Sequence, residues 1–410
     1  MRKSCSLFAL LAALGIQASA QQKKLDVTTF VVLGEGLSAG MADFSLRDVY
    51  QDKCFPAQMA RQIKTAMPQP LIQSPGIGNV PGFPGLPVRV PTTLETTLRI
   101  PFPPPLFIFN LSVPGFRVAD AVSRRPSAPL IQQNDVVQTS ANVILGFPAM
   151  TLGKDKPLWT QVEYARNMNP TLVLIALGYY DVLEAAATGN PALLTETASF
   201  QTNYSIILTA LKGSAEILVT TIPNPVDTAY FTSLPSATRL LGASPSVLAG
   251  LFNLRADDLI TPNGLMTIGT LLAAGQSGPL PPGSIVSAAT AGQITARVQA
   301  LNGVITQVAQ QNGANVYDLA ALFRTIRASG VQAGGRTLTA DYLGGFYSLD
   351  GVYPGVTGHA LIANDILTLI NKTYGTSFAA LDVGPIFQAD PTTKYQLAPG
   401  ASFAGSEVSR

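Results

Sequence analysis

The chain is short of the residues that hold metals, cross-link extracellular folds and grip polyanions. It has one histidine, His359, two cysteines, Cys5 and Cys54, and scattered carboxylates. That set offers no ligand cluster for zinc or calcium, so no metal and no cofactor is expected. Charged residues are only 12% of 410 positions, and 26 basic side chains nearly balance 24 acidic ones. Such a balance provides no basic face for nucleic acid. After the first twenty residues no run is long and apolar enough to span a bilayer. No internal repeat is visible. Dinucleotide binding is excluded at the motif level: Gly34-Glu35-Gly36 follows an apolar run, but Ala39 stands where G-x-G-x-x-G has its third glycine. An acidic residue ending a second nearby strand is missing as well.

What the chain does have is 47% hydrophobic residues, enough for a sizeable core. Arg2 and Lys3 precede an uncharged apolar run from Leu7 to Ile16, and Ala18-Ser19-Ala20 follows it. Basic start, apolar centre and small-residue exit are the order of a secretory signal peptide, which predicts a secreted or periplasmic protein beginning near Gln21. Cys5 lies ahead of the apolar run, where a lipoprotein's acylated cysteine would not be. Cleavage would leave 24 basic against 24 acidic residues and a single cysteine, Cys54, read as a buried structural thiol with no disulfide partner.

Short aliphatic runs at Val27 to Leu33, Leu106 to Ser112, Thr171 to Leu177, Glu216 to Ile222 and Asn315 to Asp318 read as buried strands. Helical patterns lie between or after them at Phe55 to Met67, Leu158 to Asn167, Thr195 to Leu211, Ala291 to Gln311 and Gly358 to Asn371. The alternation predicts one α/β domain over 21–387, a three-layer sandwich with a parallel sheet of about five strands and helices on both faces. Its functional residues belong at the carboxyl ends of the strands. Two Pro/Gly-rich insertions, about 68–105 and 228–287, interrupt the pattern. Each carries apolar residues that need burial, Phe83, Leu86 and Phe102 in the first and Leu248, Phe252 and Leu265 in the second. They are expected to cap or wall the strand ends. Pro262-Asn263-Gly264 reads as a helix break, and 388–410 as an irregular surface tail.

Four segments fall at the expected strand ends and before the last helix: Gly34-Glu35-Gly36-Leu37-Ser38, Asn110 to Gly115, Gly178-Tyr179-Tyr180-Asp181, and Asp350-Gly351-Val352-Tyr353-Pro354 leading to Gly358-His359. Their order and context resemble the four blocks of the SGNH, or GDSL, ester hydrolases, most specifically in the last. The resemblance implies an SGNH-hydrolase-like fold, flavodoxin-like in its layers. It also implies where this chain departs. Gly36 stands at the nucleophilic serine, Tyr180 at the asparagine that donates to the oxyanion, and Tyr353 at the general-base histidine. Gly115 matches the glycine whose backbone N–H is a second oxyanion donor. Acyl transfer needs an attacking atom, a base and oxyanion donors, and glycine has no attacking atom while a phenol is a poor base at neutral pH.

The leading expectation is therefore an exported pseudoenzyme with a binding or structural role. Its old acyl pocket would be built from Gly36, Gly115, Tyr179, Tyr180, Asp350 and Tyr353, and either filled by the tyrosines or open to a small ester, lipid or sugar. The alternative is an active esterase with Ser38 as a displaced nucleophile. A weaker one uses Glu35 and Asp350 as paired carboxylates toward a glycosidic bond. His359, the remaining fallback, is read as a packing residue opening the last helix. No sequence feature speaks to oligomeric state.

Overall fold

A computed structural model describes residues 24–78, 80, 90, 98–99, 107–146 and 158–395. The leader at 1–20, most of the first insertion with Phe83, Leu86 and Phe102, and the end of the tail lie outside the described residues.

Four strands form the main sheet: β1 (Phe30–Gly34), β2 (Leu172–Ala176), β3 (Glu216–Thr220) and β4 (Asn315–Tyr317). They lie side by side in that order and all pairs are parallel, with Phe30 opposite Leu172, Leu172 opposite Glu216 and Asn315 opposite Leu218. The fifth expected strand is present only as an extended edge. It pairs with β1 around Asn110, where the Val32 N–H donates to Phe109 and the Leu111 N–H to Val32, both at 2.9 Å. Pro114 after it bars a longer ladder on that side, since proline cannot donate to one. Every residue of β1 and β2 is buried, as a sheet covered on both faces requires.

The helices that position the site are α1 (Gly36–Ala39), α2 (Phe55–Ile63), α3 (Tyr180–Thr188), α4 (Thr197–Leu211), α5 (Ala288–Asn312), α6 (Leu319–Ser329) and α7 (Val356–Tyr374). α4 and α5 pack on each other in one layer, and α2 packs on α7 in the other. α2 is shorter than its apolar pattern suggested, because Lys64 turns left-handed at φ 58° and ends it. Among the described residues no helix is long and apolar enough to cross a membrane.

The second insertion has its own small core. Leu234, Leu248, Phe252, Ile260 and Ile268 are buried together, beside a three-stranded antiparallel sheet, and Leu265 packs partly buried against them. Pro262 does not break a helix there. It starts one, Pro262–Ala273, with Thr261 as N-cap, because proline lacks only an N–H that the first turn would leave unused. The insertion is rooted beside the last sequence block, where the Tyr230 N–H donates to the Gly351 carbonyl at 2.8 Å.

The stretch expected to be surface tail, 388–410, holds a buried carboxylate near its start. Asp390 accepts from the Thr357 N–H (2.7 Å) and hydroxyl (2.8 Å) in the first turn of α7, and from the Thr392 N–H (3.0 Å) and hydroxyl (2.7 Å). A carboxylate at a helix N-terminus satisfies an orphan donor and suits the helix dipole. Asp390→Ala is expected to cost about 2–3 kcal/mol, and Asp390→Asn less, read as shifts in the denaturation midpoint.

Candidate functional site

β1 runs into Glu35, and Glu35 caps α1. Its Oε1 accepts from the Leu37 N–H at 3.0 Å, while Oε2 has no partner at hydrogen-bond distance. The carboxyl is fully buried, and burial pushes it up to about 8. The backbone N–H groups of Leu37 and Gly36 and the Tyr353 hydroxyl pull the other way without prevailing. Ser38 sits inside α1 with no exposure. Its hydroxyl lies 2.8 Å from that of Ser112 and 3.3 Å from the Glu35 carbonyl. The hydroxyl expected as a displaced nucleophile is thus buried, with a second hydroxyl and a carbonyl as its neighbours.

Gly36, the first residue of α1, has ordinary helical backbone and no need of glycine's conformational freedom. What it needs is space. A Cβ built there would lie 2.6 Å from the Tyr353 hydroxyl oxygen and 2.9 Å from the ring carbon carrying it. The Tyr353 phenol thus fills the volume above Gly36. Tyr353 is 1% exposed and packs edge-on against Tyr179 at 6.1 Å. Burial first, then nearby Glu35, holds its hydroxyl well above the ordinary phenol value, so it stays protonated.

Asp350 has become a loop organiser. One oxygen accepts from the Val352 and Tyr353 N–H groups at 2.8 and 2.9 Å, the other from the Phe44 N–H at 3.3 Å. Its burial is complete and lifts it to about 6 against the pull of those donors. The paired-carboxylate expectation meets a physical obstacle: Glu35 and Asp350 both have zero exposure, and neither faces a cleft that a sugar ring could enter. Gly351 is needed for its backbone. It has φ 71°, and a Cβ would meet the Tyr230 nitrogen at 2.8 Å.

Gly115 turns at φ 86° after the edge strand. With half-buried Tyr180, Tyr353, Val137 and Ser140 it lines a crevice of about 30 Å³, room for one water and far below a ligand pocket. The four sequence blocks therefore meet, through Gly36, Gly115, Tyr179, Tyr180 and Tyr353, on a filled space. His359 lies apart from it, in the first turns of α7. Its Nδ1 accepts from the Phe55 N–H at 3.3 Å, its ring stacks on Phe55, and burial lowers its pKa to about 3. Cys54 is buried, and desolvation pushes the thiol up to about 12. Among the described residues no group of metal ligands occurs.

Two further residues close this end of the sheet: Gln161, which carried no sequence signal, and Asp181, the last residue of the third block. The Gln161 amide donates to Gly34 and Leu111, both at 2.8 Å, tying β1 to the edge strand. Asp181, lifted to about 6 mainly by burial, accepts from the Val118 N–H at 2.9 Å. A lone Gln after a threonine cap reads as helix surface, and only the fold turns it inward.

No family model matches the chain, and no curated protein matches it. It is similar to solved structures at low identity. An acetyl xylan esterase, AlAXEase, shares 11% identity over 83% of this chain and 99% of that one, with TM-score 0.36. LAE5, an alpha/beta hydrolase from the metagenome of Lake Arreo, Spain, shares 12% over 85% and 95%, with TM-score 0.37. Phospholipase A1 from Streptomyces albidoflavus NA297 shares 12% over 85% and 100%, with TM-score 0.34. The fold assignment rests on the strand order and layers above.

Two outcomes follow from the packing and the buried acids. Gly36→Ala is expected to destabilise by about 1–3 kcal/mol through overpacking, although alanine ordinarily favours a helix. In a Tyr353→Ala background that penalty should shrink by about 1 kcal/mol or more, measured as a double-mutant cycle of denaturation midpoints.

The second outcome is a pH dependence. Glu35 is neutral in the fold up to about pH 8 and ionises at its ordinary, lower value when unfolded. The folded state then holds the extra proton, so this group's stabilisation is full below the unfolded pKa and is lost as pH rises through about 8. Asp181 and Asp350, raised to about 6, lose theirs below that range, and His359, lowered to about 3, acts oppositely between about 3 and 6.5. Melting temperature should therefore fall from about pH 6.5 to 8. Glu35→Gln, which keeps an acceptor for Leu37, should flatten that fall.

Proposed function

We propose that the protein is an exported, non-hydrolytic relative of the SGNH/GDSL ester hydrolases, a pseudoenzyme whose former acyl site serves as packed aromatic core. The observation that carries this reading is the close approach of Tyr353 to Gly36: the phenol is 2.6 Å from where any nucleophile's Cβ would be. The site lacks an attacking atom, a base and room for an acyl group together. Substituting one catalytic side chain would leave the pocket open, whereas here the substitutions complement each other in volume. Export rests on the leader sequence, and the structural role rests on how Asp350, Tyr179 and Tyr353 bind the loop, the hairpin at 41–46 and α1 to one another.

Purified protein incubated with a short-chain chromogenic ester is expected to show no turnover above buffer, and a serine-reactive phosphonate to leave no adduct by intact mass. Gly36→Ser alone should stay inactive, since its serine would meet Tyr353 and find no imidazole. Ester turnover that Ser38→Ala abolishes would overturn the reading.

A further inference from the structure

A ligand-sized groove lies elsewhere, at the outer edge of the sheet, where β3 and β4 end. It holds about 530 Å³, within the range of small-molecule sites. One wall is a single face of α5, made of Gln299, Asn302, Gly303, Thr306, Gln307 and Gln310. These positions recur at three- and four-residue intervals, the spacing of one helix face. The opposite wall is Thr221, Asp318 and Arg324.

The chemistry of this face is unusual for a solvent-facing helix. Such faces are commonly charged, yet the 25 residues of α5 contain one charged side chain, Arg297. The groove side presents amides and a hydroxyl instead. Asn302 is committed to the fold, its amide bonding both the N–H (2.7 Å) and the carbonyl (2.9 Å) of Ile222. The amides of Gln299, Gln307 and Gln310 have no hydrogen-bond partner among the described residues, and each carries both donors and acceptors.

Gly303 marks the floor. It sits mid-helix, where glycine costs stability relative to alanine, and a Cβ there would meet nothing within 4 Å. Neither packing nor backbone conformation requires it, since its φ is not positive. Its effect is to leave bare helix backbone between rows of amides, so that a flat ring can approach. Asp318 and Arg324 pair at 3.5 Å, and Thr221 also bonds Asp318 at 2.8 Å. Paired, they leave the groove without net charge while keeping planar groups that can bond adjacent hydroxyls.

We infer that this groove binds a neutral polyhydroxylated chain, an oligosaccharide, through the amides of Gln299, Gln307 and Gln310 and the Asp318–Arg324 pair. Anionic ligands would meet Asp318, and cationic ones Arg324, with no second charge of either sign to favour them. A peptide, the other neutral polymer with alternating donors and acceptors, is an outcome of the test below. The site is independent of the acyl-pocket reading.

The test is titration calorimetry of the full chain with cello-, xylo- and malto-hexaose, alongside a neutral Ser/Gly/Gln peptide. At least one saccharide should bind. Gly303→Leu, which raises helix propensity and fills the floor, should weaken binding roughly tenfold or more with an undiminished thermal melt, and Gln307→Ala should weaken it to a lesser extent. Absence of saccharide binding at millimolar concentration, binding of the peptide alone, or saccharide affinity unchanged in Gly303→Leu would each overturn the assignment.

Discussion

Tyr353 and Gly36 share one volume, and the arrangement of this end of the sheet depends on that sharing. The ring can lie over the first turn of α1 only because Gly36 has no side chain, and it is held there from behind by Tyr179 and from its own backbone by Asp350. Asp350 in turn reaches Phe44 in the hairpin at 41–46, and Gly351 lets the second insertion's backbone approach through Tyr230. Interiors are close-packed and respond to a single methyl group. A glycine that gained a Cβ would therefore push on the tyrosine, its loop and the two segments docked on that loop.

The acids around this core serve the backbone at turns and helix starts. Glu35, Asp181 and Asp350 are all buried and all raised, yet each accepts backbone N–H groups at a turn or a helix start. Burial raises the cost of the charged form in all three, outweighing the backbone donors and, at Asp181, the nearby Arg117. At neutral pH Glu35 is therefore held in its protonated form. The same logic applies to His359, whose neutral ring suits its packing on Phe55 and does not suit proton transfer.

Much of the scaffold was legible because it follows from local pattern. Continuous short aliphatic runs fit strands buried on both faces; β2 and β3 lie within the runs that predicted them, and β1 overruns its own by one residue, Gly34. The short edge around Asn110 was less legible, since Pro114 ends its pairing soon after it begins. Pro262 was misread because proline marks a helix start as readily as a stop, and Thr261 ahead of it decides which. Asp390 looked like tail because one carboxylate near an irregular end carries no period, although it locks the start of α7.

The sequence by itself determined the strand and helix order and the residue types in the four blocks, with glycine at 36 and tyrosine at 179, 180 and 353, because each is a property of residue type at a position. It left open whether Gly36, Tyr179, Tyr180 and Tyr353 bound a pocket or filled one. That was decided by tertiary structure alone, since the answer is a distance between side chains more than three hundred residues apart, set by how the last loop folds back over β1. The amide face of α5 was likewise written in the sequence as a helical pattern. Only the packing of β4 and α6 beside it made that face the wall of a groove.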